Sequence, residues 1–317
     1  MRMQEQGDGV LALLVDPRLA PAVREALARR RPELPVVTAL AQADPARVRY
    51  LAAFGVPPGT FARLPGLRLI SSSGAGVDKL LAAPDLPAGV PVTRIVDPAI
   101  GASIAEYVVH MVLRELRAFG RYEAQQRERV WQRIDVAAAA DTTVGVLGLG
   151  QLGREVAHKL RLMGFRVAGW SRSPRAVDGV AGFSGDAGLA GCLAQSQFLV
   201  CLLPLTPETT GLLDARRLAL LPRGAYVINV ARGANLVAAD LLALLDSGHL
   251  GGAALDVHVP EPLPADDPLW AHPRVTLTPH IAAKLSPEVL AEQLCANIDR
   301  VERGLPLINE VDRRSGY

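Results

Sequence analysis

Residues 144–154 read Val-Gly-Val-Leu-Gly-Leu-Gly-Gln-Leu-Gly-Arg, an apolar run that ends in Gly-x-Gly-x-x-Gly and passes into an alternating apolar and polar pattern. That order is a buried strand, a tight turn and the start of a helix. Gly148 permits the turn, Gly150 lets backbone approach a pyrophosphate, and Gly153 lets the helix pack on the strand. The helix start, at Gln151 and Leu152, offers N–H groups and a partial positive charge to phosphates. The next apolar run, Phe165 to Trp170, reads as the second strand of the same unit. The pattern predicts a dinucleotide-binding unit; the plainer alternative is a glycine-rich strand–helix corner without a ligand.

The chain is long enough for a second unit, since its 317 residues are about twice a typical domain length. Half of the residues are hydrophobic and 21% are charged, a balance that builds sizeable cores and argues against disorder. A net charge of +2 gives no reason to expect nucleic acid or an anionic membrane as a partner. Apolar runs such as Phe198 to Leu203 fall far short of a bilayer span. The opening Gln4-Glu5-Gln6-Gly7-Asp8 is not a signal peptide. Cys192, Cys201 and Cys295 lack metal-ligand spacing and sit in apolar or helical sequence, which predicts buried free thiols in a reducing cytoplasm. The histidines show no paired spacing for zinc.

Punctuated apolar runs set the element order. Strands are expected at Val10 to Val15, Pro35 to Val37, Val48 to Phe54, Leu67 to Ser71 and Val92 to Ile95, with a helix over Ala20 to Arg30. Asp97-Pro98 reads as a break, followed by a long helical stretch from Ser103 to about Arg129. Later strands are expected near Thr143 and at Phe198 to Leu203, Ala225 to Val230, Ala253 to Val257 and Val275 to Thr278, before a final helix from Pro287 to Arg303. Strands alternating with helices predict parallel sheets covered on both faces, in two α/β units.

Ligands of such sheets bind at the carboxyl ends of strands, so chemistry belongs on the residues just after them. Three places qualify. Asn229 to Gly233 carries Arg232, whose planar fork of donors suits two oxygens at once. Asp256 to Pro264 carries Glu261 in a proline-stiffened loop. Thr278 to Ala283 carries His280, a group suited to proton transfer near neutral pH. Taken singly, each also fits a bland role as a surface or structural residue. A carboxylate aimed at the histidine would orient its ring.

These residues carry a resemblance. Gly-Ala-Gly-Val-Asp at 74–78, the Gly148–Gly153 loop, Asn229–Gly233, Glu261-Pro262-Leu263 and Pro279-His280 occur in the order and spacing of the D-isomer-specific 2-hydroxyacid dehydrogenases. The 29 positions from Arg232 to Glu261 and 19 from Glu261 to His280 suit that family's Arg–Glu–His set. Ala105-Glu106-Tyr107, Gly169 to Ser173, Leu203 to Thr209, Asp267 to Val275 and the tail from Val311 to Tyr317 are most similar to its bacterial glyoxylate/hydroxypyruvate reductase A group.

The resemblance implies a flavodoxin-like substrate domain, from residues 1–98 and 284–317, and a Rossmann dinucleotide-binding domain over 99–283. It implies that a nicotinamide cofactor delivers hydride to a 2-oxo acid while His280, held by Glu261, protonates the carbonyl oxygen. Arg232 would polarise that oxygen and bind the carboxylate, with backbone N–H groups at Ala75 and Gly76. The cofactor would lie against Leu203, Pro204, Val230, Ala231, Asp256 and His280, with Asp256 facing the nicotinamide carboxamide. NAD-preferring relatives carry an acidic residue at the end of the second Rossmann strand. Here that position is Ser171, followed by Arg172, Ser173 and Arg175, which favours the 2′-phosphate of NADPH over NADH. A two-fold homodimer is expected through the 103–129 stretch, with Trp131 just past it either as ordinary interface packing or, as the resemblance implies, reaching the neighbouring active site. Two alternatives stay open: a reductase of a larger 2-oxo acid, and a nucleotide-sensing protein like the corepressors of this fold.

Overall fold

The computed structural model describes residues 9–313; the opening stretch 1–8 and tail positions 314–317 lie outside the described residues. The chain divides into two compact units, one from residues 9–99 and 285–313 and the other from Ile100–Lys284.

The first unit opens with β1 (Val10–Leu14), α1 (Ala20–Arg30), β2 (Val36–Val37), β3 (Val48–Ala53), β4 (Leu69–Ser72), α2 (Asp78–Leu81) and β5 (Val92–Thr93). Then come α3 (Pro98–Leu116) and α4 (Phe119–Glu128). The second unit continues with β6 (Thr143–Leu147), α5 (Gln151–Leu162), β7 (Arg166–Ser171), β8 (Ala181–Ser184), α6 (Gly185–Ala194), β9 (Phe198–Cys201), α7 (Ala215–Leu218), β10 (Ala225–Asn229), α8 (Ala238–Asp246), β11 (Leu250–Leu255) and β12 (Val275–Leu277). Finally α9 (Pro287–Arg303) returns to the first unit.

Both sheets are parallel throughout. The first has the order β2-β1-β3-β4-β5, the flavodoxin-like arrangement. The second runs β12-β11-β10-β9-β6-β7-β8, a Rossmann sheet extended by one strand, with its switch point between β6 and β9. Strands of a doubly covered sheet are apolar on both faces. On β3, Tyr50 and Ala52 join the core beneath α1 and α9, while Leu51 and Ala53 join a second core on the opposite face.

Helix α9 shows why its residues are helical. Ser286 caps it, its side chain accepting from the Val289 N–H, and Pro287 takes the first turn. Gly304 closes it in the left-handed region (φ 65°). Leu290, Leu294 and Ile298, at helical spacing, are buried against the sheet, each contributing roughly 1.5–3 kcal/mol.

Two expectations need correction. Asp97-Pro98 is a helix start: Asp97 Oδ1 accepts from the Ala99 N–H (2.8 Å), and proline occupies the first helical position, where its missing N–H is not needed. The stretch expected as one helix from Ser103 is two, because Ala118 turns left-handed (φ 55°) between α3 and α4. Neither glycine nor proline marks position 118, so apolar periodicity runs through the break. Strand β8 has no counterpart among the expected strands. It is a glycine-containing edge strand with Ala181 and Gly182 exposed, and so lacks an apolar run.

The three cysteines are free and buried. Among the described residues, no helix is long and apolar enough to cross a membrane, and no cluster of three His, Cys, Asp or Glu groups suits a metal. Trp131 is exposed in the single chain.

Cations tie α1 to α9: Arg29 and Arg30 on α1 both pair with Glu288 on α9, and Arg31, just past α1, reaches α9 as well. Arg31 bonds Glu33 (3.0 Å), Asp299 (2.8 Å) and Glu302 (2.7 Å), and Tyr50 donates its hydroxyl to Glu302 (2.7 Å). Burial pushes the Glu302 carboxyl up, but the bonds from Arg31 and Tyr50 outweigh it and hold it below the ordinary glutamate value. Burial, followed by the bond to Glu302, pushes the Tyr50 hydroxyl up to about 12. The lowered Glu302 stabilises above its unfolded value and loses that contribution as pH falls. The raised Tyr50 stabilises below its unfolded value of about 10 and loses that contribution as pH climbs toward 12. Urea unfolding across this range checks it: Tyr50→Phe should flatten the fall in stability between about pH 10 and 12. Arg31→Ala should cost on the order of 1–2 kcal/mol at neutral pH, since its partners keep water contact.

Candidate active site

The carboxyl ends of β6, β7, β9, β10, β11 and β12 lie along one edge of the parallel second sheet, and the loops that leave them carry the expected residues. After β6, Gly148 has φ +101°, and a Cβ there would also meet the Leu202 carbonyl oxygen at 2.8 Å. A Cβ on Gly153 would stand 1.8 Å from the Gly148 carbonyl oxygen, so α5 can approach the turn only without a side chain. A Cβ on Gly150 would meet nothing within 4 Å. The open space faces the start of α5, at Gln151 and Leu152, where no side chain caps the helix. A cradle closed by Gly148 and Gly153 and open at Gly150 fits a pyrophosphate.

At the end of β7, Ser171 is buried and donates its hydroxyl to the Ser173 carbonyl (2.8 Å). No acidic side chain stands there. Arg172, Ser173 and Arg175 are exposed on the loop beyond it. Glu208, past the end of β9, lies within electrostatic reach of Arg172. Its carboxyl is held below the ordinary value first by its bond to Thr206 and, least, by the Arg172 charge. Leu203 and Pro204 leave β9 in the same segment, and the Pro204 carbonyl accepts from the Thr209 hydroxyl (2.6 Å).

The loop after β10 is fastened by two wholly buried carboxamides. Asn229 accepts from the Ala231 N–H (3.1 Å) and donates to the Arg232 carbonyl (3.0 Å). Asn235 accepts from the Arg232 N–H (3.1 Å) and donates to the Thr209 carbonyl (3.1 Å). Val230 and Ala231 are buried in this loop, and Arg232 Nη1 donates to the Ala231 carbonyl (2.7 Å). A Cβ on Gly233 would stand 2.3 Å from the His258 carbonyl carbon, so the Arg232 turn packs directly on the loop that carries Glu261.

Adjacent strands β11 and β12 deliver the next two groups. Glu261 Oε2 lies 3.1 Å from His280 Nδ1, and its other oxygen accepts from the His258 N–H (3.1 Å). Both side chains keep partial exposure, 24% for Glu261 and 32% for His280. The carboxylate is thus oriented by backbone before it meets the ring, and the pair can hold a proton at a defined place.

Asp256, expected to face a nicotinamide carboxamide, is held by the loop after β12. It is 1% exposed, and its carboxylate accepts from Thr278 Oγ1 (2.6 Å) and from the N–H groups of Ile281 and Ala282 (both 2.8 Å). Ala75 and Gly76 belong to the first unit, in the turn after β4, where Ser72 donates its hydroxyl to the Gly76 carbonyl (2.6 Å). Asn235 is the functional residue that the sequence reading misses. Its signal is a carboxamide inside the apolar stretch Ala234 to Val237, which when buried must bond to backbone.

A Rossmann sheet whose carboxyl edge carries a glycine turn shaped for a pyrophosphate and a bonded Glu261–His280 pair is the architecture of a nicotinamide-dinucleotide oxidoreductase. The family described as "D-isomer specific 2-hydroxyacid dehydrogenase, NAD binding domain" matches residues 109–282. The chain belongs to the D-isomer-specific 2-hydroxyacid dehydrogenases, enzymes dependent on NAD or NADP. It is 44% identical over 256 residues to a glyoxylate/hydroxypyruvate reductase A of Yersinia enterocolitica, covering 79% of this chain and 82% of that one. A D-isomer specific 2-hydroxyacid dehydrogenase from Xanthobacter autotrophicus Py2, solved in complex with NADPH and MES, superposes with TM-score 0.90 at 46% identity, over 98% of this chain and 100% of that one. An NADPH-dependent glyoxylate/hydroxypyruvate reductase from Sinorhizobium meliloti, in complex with NADP and sulfate, gives TM-score 0.89 at 40% identity, over 97% and 99% of the two chains.

The cradle geometry separates two glycines. Gly150→Ala adds a methyl to open space at φ −72°, which alanine adopts freely. It should leave the melting temperature within about 2 °C of the parent while weakening nucleotide binding at least about tenfold, as read by fluorescence titration. Gly153→Ala must push α5 off the turn, so it should lower both the melting temperature and the affinity.

Proposed function

We propose that this chain reduces glyoxylate to the achiral glycolate and hydroxypyruvate to the D-2-hydroxy acid, with NADPH as the preferred cofactor and NADH as the weaker one. The Glu261–His280 pair, 3.1 Å apart beside the Arg232 turn, is the observation that carries this reading. The names of the relatives support the substrate and the cofactor.

With its pyrophosphate held at the Gly148–Gly153 cradle, the cofactor would supply hydride from its reduced nicotinamide to the keto carbon. With Nδ1 turned to Glu261, His280 gives its proton from Nε2 to the carbonyl oxygen as that oxygen gains charge. Arg232 meets the same oxygen and the neighbouring carboxylate with a fork of donors, where charge develops. Asn229 and Asn235 bind no substrate in this scheme; they hold the backbone on which Arg232 stands.

Removing the proton donor tests the scheme. His280→Gln should lower kcat for glyoxylate reduction by about 10² to 10⁴-fold while NADPH still binds. Near-parental turnover in the folded variant would remove His280 from the mechanism.

The cofactor preference is assigned to the loop after β7. Arg172 provides a charge-assisted contact to a 2′-phosphate, worth roughly 1.5–3 kcal/mol or about ten- to a hundredfold, and Arg175 assists. Measured at fixed glyoxylate, kcat/KM should favour NADPH by at least that factor. Arg172→Ala should erase most of the preference with little change toward NADH. Equal use of both cofactors by the parent enzyme would overturn the assignment.

A further inference from the structure

The backbone at His280 adopts φ +56°, a conformation that an ordinary side chain disfavours and that surroundings must hold in place. The His280 N–H points back to the carbonyls of Asp256 (2.8 Å) and Thr278 (3.1 Å). The Asp256 carboxylate then grips the chain on both sides of the histidine, through Thr278 Oγ1 before it and the Ile281 and Ala282 N–H groups after it. A threonine hydroxyl has one hydrogen. Since a carboxylate can only accept, that hydrogen goes to Asp256. The hydroxyl of Tyr107, 2.7 Å from Thr278 Oγ1, is therefore the donor in that contact. Burial, and after it the charge of Asp256, push the Tyr107 hydroxyl up to about 12, so it keeps its proton.

Tyr107 stands on α3, one helical turn after Ser103. Ser103 grips the far side of the same loop, donating to the Ala282 carbonyl (2.9 Å) and accepting from the Lys284 N–H (2.8 Å). Helix α3 thus clasps the loop ahead of His280 and behind it. We propose that Tyr107 and Thr278 are positioning residues: a one-way chain of hydroxyls, Tyr107 to Thr278 to Asp256, holds the His280 ring on Glu261 in its proton-donating attitude. The inference rests on His280 being the proton donor.

The test compares four variants in NADPH-dependent glyoxylate reduction, with the melting temperature and the KM for NADPH read for each. Thr278→Val keeps shape and loses the hydroxyl; it should lower kcat about 10- to 100-fold with the KM for NADPH within about twofold, the size of loss expected for a slightly misplaced group. Thr278→Ser restores the hydroxyl and should return kcat to within about threefold of the parent. Tyr107→Phe should lower kcat about 3- to 10-fold, and the pair Tyr107→Phe with Thr278→Val should be no slower than Thr278→Val alone, because Tyr107 acts through Thr278. Should Thr278→Val not fold, Tyr107→Phe against Thr278→Ser decides. Parental kcat in Tyr107→Phe, a Thr278→Ser as slow as Thr278→Val, or additive losses in the double variant would each overturn the hydroxyl chain. Full turnover in His280→Gln would instead overturn the reading beneath it.

Discussion

A parallel sheet sends every connection across a face, so all of its strands finish along the same edge. In the second unit that constraint decides everything else. Six strands, β6, β7, β9, β10, β11 and β12, end where the glycine turn, Ser171, Leu203, the Arg232 turn, Asp256 and Thr278 begin. Residues far apart in the chain need no special device to meet; they need only to be the next residues after neighbouring strands. Glu261 and His280 come after β11 and β12, which pair directly through Leu255 and Leu277.

Proximity of strand ends is coarse, and the finer placement comes from buried polar groups bonded to backbone. Asn229, Asn235 and Asp256 are essentially without water contact; Asn229 folds its own turn, while Asn235 and Asp256 each bond a distant loop. An unpaired carboxamide or carboxylate at such depth would be costly, so each tolerates only the loop shape that satisfies it. Glycine supplies the complementary restraint. At Gly153 and Gly233 the space for a side chain is taken by another stretch of backbone. The site is shaped by contacts among loops rather than by the side chains that would touch substrate.

This division explains what could be read from the sequence. Strands such as β6 and β9 are uninterrupted apolar runs, and α9 carries a serine cap, a proline start and a glycine stop, all local signals. The dinucleotide turn is legible because each of its glycines has a separate steric reason. The role of Asp97 as a cap is hidden because Asp-Pro before a helix and Asp-Pro in a break are the same letters, told apart only by whether the residues after them go on to form a helical turn. Ala118 and β8 carry no local mark: one is an alanine in an unusual conformation, the other an edge strand without an apolar face. Asp256 and, through Thr209, Asn235 reach loops 20 or more positions away, which no spacing rule connects.

The first unit is assembled from both ends of the chain, with α9 supplying Leu290, Leu294 and Ile298 to the core built on β1 and β3. The second unit is one continuous stretch. During synthesis, which proceeds from the amino end at about 5–20 residues per second, the second unit therefore has its whole core in hand before the first does. Until α9 leaves the ribosome, the face of β1 and β3 carrying Leu11, Leu13 and Tyr50 has only α1 as its cover. The later unit to be completed is the one whose strands were made first.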